Sequence, residues 1–336
     1  MGCRGRKKRF AAVLGLCLAA IMLTACVAST TDDSASNSAP ADKSVVSSVQ
    51  SDSQPEVEKP EIVVEKPKPN KAIVYTGRGD DVIEITPFSD QPWVLEIVGN
   101  KAGRHFAVKG YDENQNSTEL FVNTTDPYSG VTLDPSQSTT LLEIKAEGEW
   151  HVRIKSLYAM PSVQFDEPLS GHGDAVIQVD EDDDFWFLQV EGNKKSRHFA
   201  VKGYDKNQNS TELFVNTTEP YSGITVDPYI DTYVLAVTAE DEWTVDLLSD
   251  LEISVAKKGE TFSGNGDNVF LYFDESKTAL VYGNKDENHF SVKSYGKTSD
   301  ELLVNTTEQY DGKVLLKGDP FMFVVNAEGS WGITLD

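Results

Sequence analysis

The feature that most constrains the fold is a text written three times. Residues 104–130 read RHFAVKGYDENQNSTELFVNTTDPYSG, and residues 197–223 repeat them with only Glu113/Lys206 and Asp126/Glu219 changed. Residues 288–312, NHFSVKSYGKTSDELLVNTTEQYDG, are a looser third copy. Other landmarks recur in the same order around each copy. GRGDDVIEI, GHGDAVIQV and GNGDNVFLY come before it, VGN, EGN and YGN just ahead, and EGEWHVRI, EDEWTVDL and EGSWGITL after it. Such internal repetition sets the architecture before any single residue does. It divides the chain into modules at 71–160, 164–256 and 259–336. A period of about 90 residues is long for a solenoid, so three separate folded units are expected.

Within a module the apolar runs are short and alternate with polar residues: AIVY, DVIEI, WVLEIV, HFAVK, ELFVN, GVTL, TLLEIKA and WHVRI in the first. Gly, Asn, Asp and Pro separate them at roughly 8–12 residues, which is the spacing of antiparallel sandwiches and barrels. The fold class predicted is therefore all-β, with three tandem antiparallel, jelly-roll-like β-sandwiches. Strand alternation then sorts the repeated motif. Phe106 and Val108 point to the core, as do Phe199, Val201, Phe290 and Val292. Trp150, Trp243 and Trp331 open each final strand and are expected as core anchors. Tyr128, Tyr221 and Tyr310 are expected to pack over the corner after the NTT turn.

Residues 26–70 differ in kind. STTDDSASNSAPADKS and PEVEKPEIVVEKPKPN are too poor in apolar residues to bury a core, so a disordered tether is expected. Its prolines stiffen the second half. Ahead of it, residues 1–25 carry Arg4, Arg6, Lys7, Lys8 and Arg9 and then an apolar run from Phe10 to Met22. That run falls short of the roughly 20 residues a membrane-spanning helix needs, and suits a secretory signal segment. Its end, Leu23-Thr24-Ala25-Cys26, resembles the lipobox of bacterial lipoproteins, Leu-[Ala/Ser/Thr]-[Gly/Ala]-Cys. The resemblance covers the leader only. It implies cleavage before Cys26, acylation of Cys26 of the palmitate type, and anchoring on the extracytoplasmic face of the cell membrane. An uncleaved anchor helix is the other reading of the same residues. The repeats match no characterised family, although they look like the β-sandwich modules of bacterial, Gram-positive-type surface proteins.

Composition fits an exported body. The three cysteines, Cys3, Cys17 and Cys26, all lie in the leader or at its end, so the modules contain no disulfide, thiol nucleophile or cysteine metal site. Net charge is −24, and losing the five basic leader residues takes it to −29. Such a chain repels nucleic acid, whose binding depends on Lys and Arg neutralising phosphate.

Candidate sites follow from the repeats. His105, Lys109 and Tyr111 lie on the outer face of one strand, with His198, Lys202 and Tyr204 and then His289, Lys293 and Tyr295 in the later modules. They form either a ligand-facing stripe or an ordinary solvated face. Trp93 and Trp186 have Lys277 in the third module, and an aromatic that the fold can spare is a candidate for stacking on a sugar. Asp112, Asn114 and Asn116, repeated as Asp205, Asn207 and Asn209, resemble the first half of a calcium loop. Ser117 replaces the usual glycine and Asn123 the usual twelfth-position acid, so a loop of turn-forming Asx residues is the competing account. Asp80, Asp174 and Asp267 are expected to shape a turn into the first strand. The Arg78-Gly79-Asp80 tripeptide is discounted as an adhesion signal because the other modules have His172 and Asn265 in place of the arginine. One histidine per module, with no nucleophile elbow and no HExxH, makes no catalytic constellation. The reading is a non-enzymatic, lipid-anchored surface protein that binds an extracellular glycan, wall polysaccharide or surface protein, with avidity from repetition and no cofactor unless calcium. A purely structural spacer and a hydrolase of envelope polymers are the alternatives.

Overall fold

The computed structural model describes residues 67–180, 187–286 and 288–336. The leader, most of the tether, Cys26 and Trp186 lie outside these. Among the described residues every regular element is a strand, apart from a single 3₁₀ turn at Leu157–Ala159.

The first module faces two four-stranded sheets against each other. One sheet runs Ile73–Arg78, Glu149–Ser156, Trp93–Gly99, Tyr128–Leu133 in space, and the other Asp81–Glu84, Leu141–Lys145, Phe106–Tyr111, Ser117–Thr124. In chain order these strands are 1-8-3-6 against 2-7-4-5, the jelly-roll connection. The other two modules repeat it, so the predicted fold class holds. In each, the strand begun by the repeated Phe has a register shift after its valine, at Val108/Lys109, Val201/Lys202 and Val292/Lys293.

Alternation dictates the cores. Phe106 and Val108 are fully buried while Ala107 and Lys109 are half-exposed, and the later copies behave alike. Each module has its own core, built round Phe106 and Trp150, Phe199 and Trp243, or Phe290 and Trp331. The tryptophans are the anchors expected. Each donates its indole N–H to a glycine carbonyl of the opening turn, Gly79, Gly173 or Gly266, at 3.0, 2.8 and 2.9 Å. The recurring Gly-Asn pairs have a similarly local reason. Asn100, Asn193 and Asn284 adopt φ near 60°, and their buried side chains bridge two loops. Asn193, for example, donates to the carbonyls of Arg197 and Glu219 and accepts from the Arg197 N–H.

The expectation of separate units needs correction. A fourth apolar cluster joins Val94, Leu133, Leu157 and Met160 of the first module and its connector to Val176, Tyr204 and Val234 of the second. The connectors also join the fold: Ser162–Val163 adds as a parallel strand to Ala175–Val179, and Val255–Ala256 to Asn268–Tyr272. Each module has its own core, but neighbours are packed in series.

Candidate functional site

The three repeated His-Lys-Tyr stripes are occupied by local contacts. His105, His198 and His289 each place Nε2 3.2 Å from the amide oxygen of the NTT asparagine, Asn123, Asn216 or Asn305. That contact explains why histidine and asparagine recur together. The lysine ammonium lies over the tyrosine ring two residues on, at 5.0 Å for Lys109 and Tyr111, 5.1 Å for Lys202 and Tyr204, and 4.4 Å for Lys293 and Tyr295. A cation at that distance is attracted by the ring face. Tyr111 also donates to Glu143 Oε2 at 2.7 Å, which holds the Glu143 carboxyl below its usual range. The structure separates the copies, however. Tyr204 and Tyr295 are buried, Tyr204 in the cluster against the first module, so neither is available to a ligand. The reason is that this sheet face of modules two and three is turned to the preceding module.

Trp93 is a second correction. It is 1% exposed in the first core and offers no stacking surface. The third module spares it because its core is filled otherwise: Phe270, Tyr272 and Phe323 occupy the positions of Ile83, Ile85 and Leu142, and Phe270 stacks on Phe323 at 5.0 Å.

In the Asx loops, Asp112 Oδ1 accepts the backbone N–H groups of Asn114 and Asn116, and Oδ2 accepts the Asn116 amide at 2.9 Å. Asp205 repeats this with Asn207 and Asn209. The Asn116 amide hydrogen bond, above all, holds the Asp112 carboxyl below its ordinary value. Among the described residues no three His, Cys, Asp or Glu side chains converge to hold a metal ion. Since these carboxylates are satisfied by N–H donors of their own loop, adding a chelator should leave the thermal unfolding of the mature chain unchanged. A drop in Tm reversed by calcium would restore the metal reading.

The second module carries a shallow cleft of about 420 Å³ between the strands Leu169–His172, Phe187–Gly192 and Glu242–Leu248. Its polar lining includes His172, Glu191, Lys194 and Glu242, with Ser170 and Thr244 bonded to each other at 3.0 Å. Charges of both signs around hydroxyls suit a polar, hydroxyl-rich group.

The most strongly organised polar feature lies elsewhere, at the junctions. Tyr128 donates to Asp174 Oδ2 of the next module at 2.6 Å, and Tyr221 donates to Asp267 Oδ2 at 2.9 Å. The other oxygen of each aspartate accepts a backbone N–H within its own module, from Ala239 at 2.9 Å and Ala327 at 2.8 Å. Beside them the Val131 and Ile224 N–H groups donate to the Asp174 and Asp267 carbonyls at 2.9 and 3.2 Å. Burial pushes both carboxyls above their ordinary value in spite of these bonds, and pushes the hydroxyls of Tyr128 and Tyr221 up as well. The tyrosine ring packs on the repeated phenylalanine, with centroids 6.4 Å apart for Phe106–Tyr128 and for Phe199–Tyr221. It therefore covers the corner, as expected, and also reaches across to the next module. Asp80 opens the first module and accepts no tyrosine hydroxyl among the described residues. It is exposed, and the Ala146 N–H holds its carboxyl low.

No family model and no curated protein matches the chain. Among solved structures, a chain from the X-ray structure of the entire lipid-containing bacteriophage PM2 is similar at 9% identity, covering 78% of this chain and 86% of that one, with a TM-score of 0.18.

Proposed function

We propose that the chain is a lipid-anchored, non-catalytic surface protein in which three sandwiches are fixed in series to hold their surfaces away from the membrane. The observation that carries this reading is the junction made twice with the same atoms, Tyr128 to Asp174 and Tyr221 to Asp267. A chain of independent binding beads would need no such lock. The leader motif supplies the other half of the proposal, an acyl chain on Cys26 and a tether from 26 to 70 at the extracytoplasmic face of the membrane. Palmitate fed to cells making the protein should label it, and Cys26→Ala should lose the label. An unlabelled, still membrane-bound wild type would overturn the anchor.

A second reading rests on the cleft of the second module. Its mixed charges and hydroxyls favour a wall polysaccharide or other glycan as ligand. The test is binding of the mature chain to purified wall fractions, with a Lys194→Ala, Glu242→Ala double substitution expected to weaken it. Equal binding by both proteins would remove the cleft from consideration.

A further inference from the structure

Among the described residues, the first and third modules each expose one face that the inner junctions bury, and these two faces are the two halves of that junction. Val82, Val176 and Val269 are equivalent positions; the second and third are 1% and 0% exposed, but Val82 is 65% exposed. At the other side of the junction, Leu133 and Val226 are 6% and 7% exposed, while their equivalent Leu315 is 60% exposed. Leu280 and Tyr282, on the neighbouring strand of the same end face, are also exposed. Repeat arrays ordinarily close with a polar capping surface, and these faces are not polar throughout.

The polar groups are equally ready. Asp80 Oδ1 accepts the Ala146 N–H at 3.0 Å, in the pose of Asp174 and Asp267, leaving Oδ2 to an exposed lysine, Lys145, at 3.5 Å. Tyr310 lies over Gly312 as Tyr128 and Tyr221 lie over Gly130 and Gly223. A Cβ on each glycine would meet the tyrosine hydroxyl at 2.9, 2.7 and 2.9 Å respectively. Tyr128 and Tyr221 donate from this pose to Asp174 and Asp267 of the next module. The charges match too. Lys313, whose exposed ammonium lies 3.4 Å from Asp336, stands where Val131 and Ile224 meet the next module, and Asp81 stands where that module has Ala175 or Asn268. The inner junctions set neutral residues together at this spot, whereas the two exposed faces would set a lysine beside an aspartate.

We propose that copies of this chain associate head to tail, with the Tyr310–Leu315 end of one copy seated on the Asp80–Val82 end of the next in a third instance of the internal junction. Such a contact joins unlike surfaces, so unless its rotation closes a ring it extends into chains. This goes beyond the proposed display role and does not depend on the lipid.

The mature chain carrying Cys26→Ser, in which no acyl group can cause clustering, should show a weight-average mass that rises with concentration in sedimentation equilibrium. Val82→Glu or Leu315→Glu, each on an exposed end, should weaken association about tenfold or more, with the Tm unchanged. Mixing the two variants is the diagnostic case. One retains a working tail and the other a working head, so the mixture should form one-to-one dimers and nothing larger. A single-chain mass at every concentration overturns the proposal, as does association that survives in both variants or a mixture that does not pair.

Discussion

Asp174→Ala should unlock the first junction and lower the stability of the first two modules by about 3 kcal/mol. It takes the acceptor from the Tyr128 hydroxyl and from the Ala239 N–H at once, and each donor left without a partner at a packed junction costs about 1–3 kcal/mol. Denaturant unfolding of the mature chain checks this, read with a double-mutant cycle against Tyr128→Phe. If the two residues act through one hydrogen bond, the second change should add little once the first is made. Full additivity would mean that the 2.6 Å contact contributes nothing. The same carboxylate sets a pH dependence. Burial raises the Asp174 carboxyl above its unfolded value, so the folded state favours the protonated form. The stability that this contributes is full below the unfolded value and is lost as pH rises through the folded one. Relative to Asp174→Asn, which cannot titrate, the wild type should therefore lose ground as pH rises above the ordinary carboxylate range. A gain over that interval would show that the carboxylate is better solvated in the junction than its burial implies.

The junction also marks where the sequence stops being legible. Alternation along RHFAVKGY separates Phe106 and Val108 from Lys109 and Tyr111, and the strands follow it, because a residue's phase on a strand is a local property. The jelly-roll connection could be expected from eight short runs per module for the same reason. Phase says only that a side chain faces away from its own core. It cannot say what lies beyond, so Tyr204, whose neighbours in sequence match those of Tyr111 almost letter for letter, reads as equally exposed. Yet it is buried because a module precedes it. One signal was present: Asp174 and Tyr128 recur as Asp267 and Tyr221, farther apart than any turn could use. Trp93 departs from its sequence pattern for a related reason. Its replacement by Lys277 reads as an aromatic free of the fold, but the loss is offset by Phe270, Tyr272 and Phe323 elsewhere in the third core, and a single position carries no record of such compensation. Packing volume is conserved across a core, not site by site.

That principle gives the sharpest test of the architecture, a single methyl group. Gly171 lies in the opening strand of the second module, opposite Trp243 in the register, and a Cβ there would sit 2.1 Å from the indole Cζ2. The ring cannot move aside easily. Its N–H is committed to the Gly173 carbonyl at 2.8 Å, and it is buried among Phe199, Val190 and Val245. Gly171→Ala should therefore cost about 3 kcal/mol or more, at the upper end of what overpacking a core does. Gly77→Ala should match it, since the same clash recurs at 2.1 Å with Trp150. Gly148→Ala provides the control, because a Cβ at that position meets nothing within 4 Å and should leave the melting temperature nearly unchanged. If Gly171→Ala melted like Gly148→Ala, the indole would not be wedged against the opening strand. The stacking of strand on tryptophan that closes all three sandwiches would then have to be abandoned.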